Sequence, residues 1–180
     1  VRGSTDGIWD VNLLTNEAFF SERWYELLGY RKDELQLTTA VFESLLHPDD
    51  HDRVLKGLRR LLEQREPHVM EFRMRMKGGE YRWFLGRGQA VWNEQGQPAR
   101  MSGSLTDIRE RKRAQEALAE TEGRYRALFE NMLDGFAYCQ MLFEGNRPQE
   151  FIYLAVNTAF ETLTGLQNVV GRRVTEIFPG

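Results

Sequence analysis

Two histidines and two aspartates lie within five consecutive positions, at His47, Asp49, Asp50 and His51. Imidazole and carboxylate groups bind divalent metal ions, so this cluster is a candidate metal site. Pro48 lies among them, however, and proline is favoured at the first helical position because its missing N–H would be unpaired there. The aspartates complement the positive end of a helix dipole, and the sequence has no second cluster of histidine or cysteine. We therefore interpret the segment as a helix start and predict no bound metal.

The other residues of catalytic type are isolated. Cys139 is the only cysteine, which excludes an internal disulfide and fits a reducing compartment. Gly86 and Gly88 lack the Lys-Ser/Thr pair and the strand-to-helix context of a phosphate-binding loop. Because no nucleophile, base and orienting group occur as a set, we predict that this segment is not an enzyme.

Composition and charge narrow the class of protein. The 180 residues allow one large or two small domains, and 41% hydrophobic with 28% charged residues is typical of a soluble globular protein. A net charge of −3 without a large basic patch argues against nucleic acid as a partner. No apolar run is long enough to cross a bilayer and no signal peptide is present, so we predict no membrane contact in this segment. Since the first residue is Val, we expect a fragment of a longer protein.

In the first hundred residues, helices are grouped between two sets of strands. The predicted strands are Asp6–Val11, Glu17–Phe20, Val69–Met76, Tyr81–Trp92 and Ala99–Leu105. The predicted helical segments are Glu22–Leu28, Lys32–Leu35, Val41–Leu46 and a longer helix from Pro48 to about Glu63. We expect Ser21 to cap the first helix and Gly29 to end it. This order predicts an α+β domain with helices covering one face of a five-stranded sheet.

A long helix follows the last strand. The stretch Thr106–Met132 has no proline, one glycine and strong helix formers nearly throughout. Two series of residues seven positions apart run along it: Ile108, Gln115, Glu122 and Phe129, and Arg111, Leu118, Tyr125 and Met132. This partly apolar grid has two interpretations, a solvated helix with one buried stripe or a parallel coiled coil between two chains. The seam of that dimer consists of Leu118, Tyr125, Phe129 and Met132.

The residues after this helix resemble the start of the chain. Asn157–Leu166 matches Ser21–Tyr30 at an offset of 136, whereas Asp134-Gly135 matches Asp6-Gly7 at an offset of 128. The second copy therefore has eight extra residues in its first hairpin, which we place within Phe143–Glu150.

The repeat stops early. Phe178-Pro179 corresponds roughly to His47-Pro48, so the second copy lacks the long helix and the last three strands of the first. Unpaired strand edges invite pairing with another chain. We therefore expect a boundary of the fragment or a unit that another chain completes.

Five motifs together resemble a PAS domain followed by a PAC motif. They are DGIWDVN at 6–12, WYELLGY at 24–30, HPDD at 47–50, EFRMRMKGGEYRWF at 71–84 and GSLTDIRERK at 103–112. The resemblance covers Asp6–Lys112, and Asp134–Pro179 resembles the N-terminal half of a second PAS domain. We accordingly expect a PAS/PAC domain at 1–107, a connector helix at 108–132 and half of a second PAS domain at 133–180.

The resemblance implies a five-stranded antiparallel sheet that holds helices around a small cavity. It also implies a cytoplasmic, mostly bacterial signalling protein with an effector further along the chain, such as a histidine kinase, a diguanylate cyclase or a chemoreceptor. In haem-binding members the axial ligand comes from the helix that contains His51, which here lies about one turn too early. Flavin photoreceptors of this fold use a cysteine in the first unit's helices, whereas Cys139 lies in the second copy. The sequence requires no cofactor.

Eight residues are candidates for the lining of such a cavity. They are Trp24, Leu28, Leu58, Phe72, Arg73, Trp83, Arg87 and Leu105. The alternative is a core filled by these large side chains. If Arg73 and Arg87 point inward, they favour an anionic small-molecule ligand; if they point outward, they are solvated charges.

The exit motif is the candidate signal relay. In the family, the aspartate of an Asp-Ile-Thr exit pairs with a nearby basic residue and ties the last strand to the outgoing helix. Here Asp107 and Ile108 match the family, but Arg109 replaces the threonine. Asp107 can cap the helix, and Arg111 lies within one turn of it.

These features predict a sensory and dimerisation module of a two-component or related signal-transduction protein, with its effector in the same chain. A homodimer and a possible small-molecule ligand are the expected partners. The alternatives are a ligand-free structural dimerisation module and a haem-based gas or redox sensor through His51.

Overall fold

A computed structural model describes residues 5–178, and the chain divides between Arg113 and Ala114 into two compact units. We call residues Val1–Arg113 unit 1 and Ala114–Gly180 unit 2. Pro179, which the sequence aligns with Pro48, lies outside the described residues. No helix among residues 5–178 is long and apolar enough to span a membrane.

Unit 1 contains the predicted α+β fold. Its elements are β1 (Gly7–Asn12), β2 (Ala18–Phe20), α1 (Glu22–Leu28), α2 (Thr39–Leu45), α3 (Pro48–Gln64), β3 (His68–Arg75), β4 (Tyr81–Trp92) and β5 (Pro98–Asp107). The strands pair in the order β2-β1-β5-β4-β3, and every pair is antiparallel. The N-terminal hairpin therefore joins the later meander through β1 and β5, as the sequence predicts.

The core of unit 1 consists of apolar side chains from the helices and the alternate strand positions that face them. In β3, Phe72 and Met74 alternate with charged residues, so both side chains lie on the face that the helices cover and are buried there. Trp24 and Leu28 of α1 and Phe84 of β4 are also almost completely buried. This alternation fixes which residues can reach a cavity between the sheet and the helices.

Two local predictions differ from the structure. The hydroxyl of Ser21 does not cap α1, because it accepts a hydrogen bond of 2.9 Å from the backbone N–H of Ile8 instead. The predicted helical segment Lys32–Leu35 is a turn, in which the Glu34 carboxylate accepts a hydrogen bond from the N–H of Arg31. The helix start at Pro48 is as predicted, and Nδ1 of His47 accepts a hydrogen bond from the N–H of Asp49.

Unit 2 contains a long hairpin and short helices. The long helix α4 (Arg109–Glu130) begins in unit 1 and continues into unit 2, where β6 (Ala137–Glu144), β7 (Arg147–Val156), α5 (Thr158–Thr164) and α6 (Val174–Ile177) follow. The two strands pair antiparallel as a sheet of their own. Their turn falls within Phe143–Glu150, so the eight extra residues lengthen this hairpin.

Candidate ligand cavity and exit turn

Unit 1 contains a cavity of about 200 Å³ between the inner face of the sheet and the helices. Most of its wall is aromatic or aliphatic, with Trp9, Phe20, Trp24, Phe42, Leu58, Phe72 and Leu105. The volume is below the roughly 300–1,000 Å³ that is usual for drug-sized ligands. It exceeds the roughly 150 Å³ of an engineered apolar cavity in another protein that binds benzene.

Glycines in the strands let aromatic rings lie against the sheet at this cavity. A Cβ added at Gly86 would lie 2.6 Å from Cε1 of Phe72, and one at Gly88 would lie 3.2 Å from the Trp9 ring. The Gly86-x-Gly88 pair therefore marks a close approach of aromatic rings to the strand, a common reason for glycine within a sheet.

Five of the eight predicted lining residues contact the cavity, and three do not. Leu28 is completely buried in the main core and lies outside the cavity wall. Arg73 lies on the outer face of the sheet because it alternates with the inward-facing Phe72, and Trp83 is its cross-strand neighbour. The guanidinium of Arg73 lies over the Trp83 ring, 5.2 Å from the ring centroid.

The two arginines do not form an anion site inside the cavity. Arg73 donates hydrogen bonds to Asp50 and Asp49 instead. Arg87 is exposed, and its guanidinium approaches the hydroxyl of Thr106 at 3.5 Å. Arg73 therefore points outward as an ion-paired side chain, whereas Arg87 is exposed although it borders the cavity.

His68 is a buried polar residue of the cavity wall that the sequence analysis missed. Its exposed fraction is 7%, and the side chain packs on α3, where a Cβ at Gly57 would lie 2.5 Å from Cε1. Burial lowers the pKa of His68, the charge of Arg53 lowers it further, and a hydrogen bond with the Gly57 backbone acts in the opposite direction. The alternating pattern that predicted β3 extends back to His68 and places it on the same face as Met70 and Phe72, so the signal was present.

The HPDD motif starts α3 and also joins this helix to the sheet edge. The carboxylate of Asp50 is buried and accepts hydrogen bonds of 2.9 Å from Arg53, from Nε of Arg73 and from the backbone N–H of Arg73. Burial alone would raise the pKa of Asp50, but these hydrogen bonds lower it to about 2. Among residues 5–178, no group of three or more His, Cys, Asp or Glu is arranged to hold a metal ion.

The exit turn differs from the predicted pairing. Asp107 accepts hydrogen bonds from the backbone N–H and from Nε of Arg109, at 2.9 and 2.7 Å, so the residue that replaces threonine is its partner. Arg111 pairs with Glu71 of β3 at 2.6 Å instead of with Asp107. Ile108 is buried, and its N–H donates to the carbonyl of Trp83.

A second cation holds the first turn of α4 to the sheet. Nζ of Lys112 lies 2.6 Å from the Glu71 carboxylate and 4.6 Å from the centroid of the Trp83 ring. The hydrogen bond from Lys112 is the main cause that lowers the pKa of Glu71. Glu71 thus binds Arg111 with one carboxylate oxygen and Lys112 with the other.

Neither His51 nor Cys139 lies in the wall of the cavity in unit 1. His51 is outside the cavity wall, and its ring lies 3.3 Å from the Asp52 carboxylate, so a haem in the cavity could not use it as a ligand. Cys139 lies in β6 of unit 2, where burial raises the pKa of its thiol. The wall of the cavity in unit 1 contains no cysteine.

Of the predicted seam residues, Leu118, Tyr125 and Phe129 lie along α4, and Met132 lies two residues after the helix ends. Leu118 and Tyr125 are more than 60% exposed and Met132 is 42% exposed. Phe129 is half-buried between the rings of Tyr125 and Phe136. No residue of α4 is buried in the single chain.

Two family models match the chain. The model described as "PAS fold" matches residues 17–105, and the model described as "PAS domain" matches residues 123–180. The first match ends close to the exit turn, and the second covers the repeated hairpin and helix.

Known proteins with similar sequence or structure include sensor proteins and a probable diguanylate cyclase. A crystal structure of a sensory box histidine kinase/response regulator from Burkholderia thailandensis is 38% identical, has a TM-score of 0.60, and covers 70% of this chain and 94% of that chain. Sensor protein FixL of Bradyrhizobium diazoefficiens is 26% identical over 99% of this chain and 34% of its own length. The probable diguanylate cyclase DgcE of Escherichia coli is 29% identical over 66% of this chain and 10% of its own length.

The chain spans about a third of FixL and a smaller share of DgcE. The five-stranded sheet, the helices on its inner face and the two family matches agree with one another. The chain therefore belongs to the PAS family and is a sensory module of signal transduction.

Proposed function

We propose that this chain senses a small molecule in the cavity of unit 1 and relays its presence through α4 to an effector in the same protein. Similarity to a sensory histidine kinase and to a probable diguanylate cyclase makes these two activities the candidates for the effector. The proposal includes association of two copies of the chain through α4 and a cytoplasmic location.

The observation that carries the relay is the double pairing of Glu71. Its carboxylate binds both Arg111 and Lys112, which lie in the first turn of α4. A change in the position of β3 would therefore move the first turn of α4 through these two ion pairs. Charge-assisted hydrogen bonds are suited to this role because they are short and directional.

The cavity is linked to Glu71 through Arg53 of α3. Arg53 lies close enough to His68 to lower its pKa, and it donates a hydrogen bond of 2.9 Å to the backbone carbonyl of Glu71. Arg53 also donates to Asp50, which fixes the start of α3. The path from cavity wall to exit helix thus runs from His68 through Arg53 and Glu71 to Lys112.

The substitution Glu71→Gln tests the relay. It keeps the shape of the side chain but removes the charge that holds Arg111 and Lys112. We expect hydrogen exchange at the amides of Ile108 and Lys112 to become roughly three- to tenfold faster, which corresponds to the loss of about one net hydrogen bond.

The matched control is Glu94→Gln, which removes the same charge in the exposed turn between β4 and β5. It should leave exchange at the exit turn unchanged. Unchanged exchange in Glu71→Gln as well would show that this pairing does not hold the helix, and the proposed relay would fail.

The apolar stripe of α4 supports the proposed association of two copies. Leu118 and Tyr125 are seven positions apart, and both are exposed in the single chain. Burying such side chains against a second helix is favourable, and a partly polar seam allows two registers of similar free energy. A change of register between helices is one way in which sensors transmit a signal.

The double variant Leu118→Asp with Tyr125→Asp tests the association. We expect it to dissociate the dimer at micromolar concentration, as measured by sedimentation velocity, without unfolding unit 1. Ala127→Asp is the control, because nine residues at 100° each place position 127 opposite Leu118. A dimer that survives the double variant would disprove the coiled-coil interpretation.

A further inference from the structure

His68 is the buried polar ring of the cavity wall, and it limits which ligands the cavity can accept. Its exposed fraction of 7% contrasts with the exposed side chain of Arg87 in the same wall. The hydroxyl of Thr38, another wall residue, already accepts a hydrogen bond from the N–H of Val41 as the cap of α2. Among the described residues, His68 is the one residue of this wall with a buried polar side chain, so its ring is the group placed to orient a ligand.

The protonation state of His68 determines what it can recognise. Burial and the nearby charge of Arg53 lower the pKa of His68 from its ordinary value, and this favours the neutral ring. A neutral imidazole has one nitrogen that donates and one that accepts. Its hydrogen bond with the Gly57 backbone raises the pKa, as expected when the ring donates to a carbonyl. The remaining nitrogen is then an acceptor, and its partner must be a donor.

The remainder of the wall determines the size and charge of the ligand. A volume of about 200 Å³ holds one aromatic ring with a small substituent, since about 150 Å³ is enough for benzene. A buried charge without a partner is costly, and the guanidinium of Arg53 already binds Asp50 and the carbonyl of Glu71. An uncharged ligand is therefore favoured over a carboxylate or an amine.

We propose that the cavity binds a small uncharged molecule with a compact apolar body and one hydroxyl group, and that this hydroxyl donates a hydrogen bond to His68. Phenol is the simplest member of this class. The proposal rests on the sensory function proposed above and adds the chemical class of the signal. In it, His68 determines specificity and the aromatic wall supplies most of the binding free energy.

Three probes of similar size separate the possibilities: phenol, toluene and benzoate. Their dissociation constants are measured by isothermal titration calorimetry with the whole chain and with two variants, His68→Phe and His51→Phe. We expect phenol to bind about tenfold more tightly than toluene, the value of roughly one net hydrogen bond, and benzoate to bind most weakly.

The variants connect this preference to His68. The substitution His68→Phe should remove the difference between phenol and toluene, whereas His51→Phe, at a histidine outside the cavity wall, should preserve it. Equal affinity of the unaltered chain for phenol and toluene, no binding of any probe, or tightest binding of benzoate would each overturn the proposal.

A second measurement needs no substitution and covers the case in which His68→Phe fails to fold. The chain has three histidines, and nitrogen NMR resolves their ring nitrogens. Phenol should shift the acceptor nitrogen of His68 and leave His47 and His51 unchanged; toluene should shift none of them by a comparable amount. A His68 nitrogen that does not respond to bound phenol would overturn the proposal.

Hydrogen exchange at Ile108 and Lys112 in the same samples separates this inference from the relay. If phenol binds with the expected preference but exchange at the exit turn does not change, the ligand class stands and the proposed relay fails. If no probe binds while Glu71→Gln still loosens the exit turn, the ligand class fails and the relay stands.

Discussion

The two units begin with the same local structure, and one hydrogen-bond pattern identifies it. In unit 1, the hydroxyl of Ser21 accepts a hydrogen bond from the N–H of Ile8, and the N–H of Ser21 donates to the Ile8 carbonyl. In unit 2, the side-chain oxygen of Asn157 accepts from the N–H of Phe136, and the N–H of Asn157 donates to the Phe136 carbonyl. These pairs have the two offsets of the sequence repeat, 136 and 128, so the repeat is also a structural one.

A close contact between strand and helix is also repeated. A Cβ at Gly7 would lie 2.6 Å from Cα of Trp24, and one at Gly135 would lie 2.9 Å from Cα of Phe160. Glycine is required at both positions because the helix backbone crosses the strand there. Packing therefore explains the glycine of each Asp-Gly pair that reveals the repeat.

The units differ in what covers this shared structure. Leu27 is 6% exposed in unit 1, whereas its counterpart Leu163 is 70% exposed in unit 2. In unit 1 the helix faces a sheet completed by β3, β4 and β5. The described part of unit 2 has no counterpart of these strands. Local sequence thus determines how the hairpin and helix form, and the distant strands determine whether their apolar side chains are buried.

The largest expected difference between the units comes from Leu27→Ala and Leu163→Ala. The first creates a cavity in the core and should lower the free energy of unfolding by about 2–5 kcal/mol. The second should change it by less than about 0.5 kcal/mol, because the side chain is mostly exposed. Urea unfolding followed by tryptophan fluorescence reports on unit 1 alone, since all four tryptophans lie there, and circular dichroism reports on both units. Equal losses would contradict the difference in burial.

The next largest difference concerns the residue before each short helix. Asn157 is 1% exposed and makes three hydrogen bonds of 2.7–2.9 Å, to Phe136, Phe160 and Asp134, so Asn157→Ala should cost unit 2 about 2–3 kcal/mol. Ser21→Ala removes one such bond and should cost unit 1 about 1 kcal/mol. Thermal unfolding of both variants checks this order, and a greater loss from Ser21→Ala would contradict it.

A smaller effect should distinguish the units in acid. Asp50 belongs to α3, which has no counterpart in the described part of unit 2, and its pKa falls from 3.8 to about 2 on folding. A lowered pKa stabilises the folded state above the unfolded value, and this stabilisation of about 2 kcal/mol is lost as the pH falls from about 4 to 2.

The variant Asp50→Asn should be less stable than the unaltered chain at pH 7, with the gap narrowing toward pH 2. Urea unfolding followed by tryptophan fluorescence at several pH values measures this gap in unit 1. A gap that does not change with pH would show that ionisation of Asp50 does not stabilise the fold.

The sequence was sufficient to predict the order of strands and helices in unit 1, because β3 alternates strictly and turns with glycine or polar residues separate the other strands. The pairing of β1 with β5 could also be predicted, since it joins the N-terminal hairpin to the last three strands in one sheet. Boundaries were less certain: β3 begins at His68, one residue before the predicted start. Because the predicted strand began at Val69, His68 was not considered as a cavity residue, although it is the buried histidine of the chain.

The site was harder to predict than the fold because it depends on contacts between distant residues. Nothing near Arg111 in the sequence indicates that it pairs with Glu71, forty positions earlier, instead of with Asp107. Arg73 was placed among the cavity candidates although its neighbours in the alternating strand face inward. The alternation itself assigns it to the outer face, so this correction follows from the pattern, whereas the pairing of Glu71 required the structure.

Native mass spectrometry of the freshly purified chain tests most directly the claim that this is a ligand-sensing dimer. We expect the mass of two chains plus a small molecule that is lost on denaturation. A small molecule of the hydroxyl-bearing, one-ring size would also agree with the volume of the cavity. A bare monomer would contradict both the dimer and the sensing function.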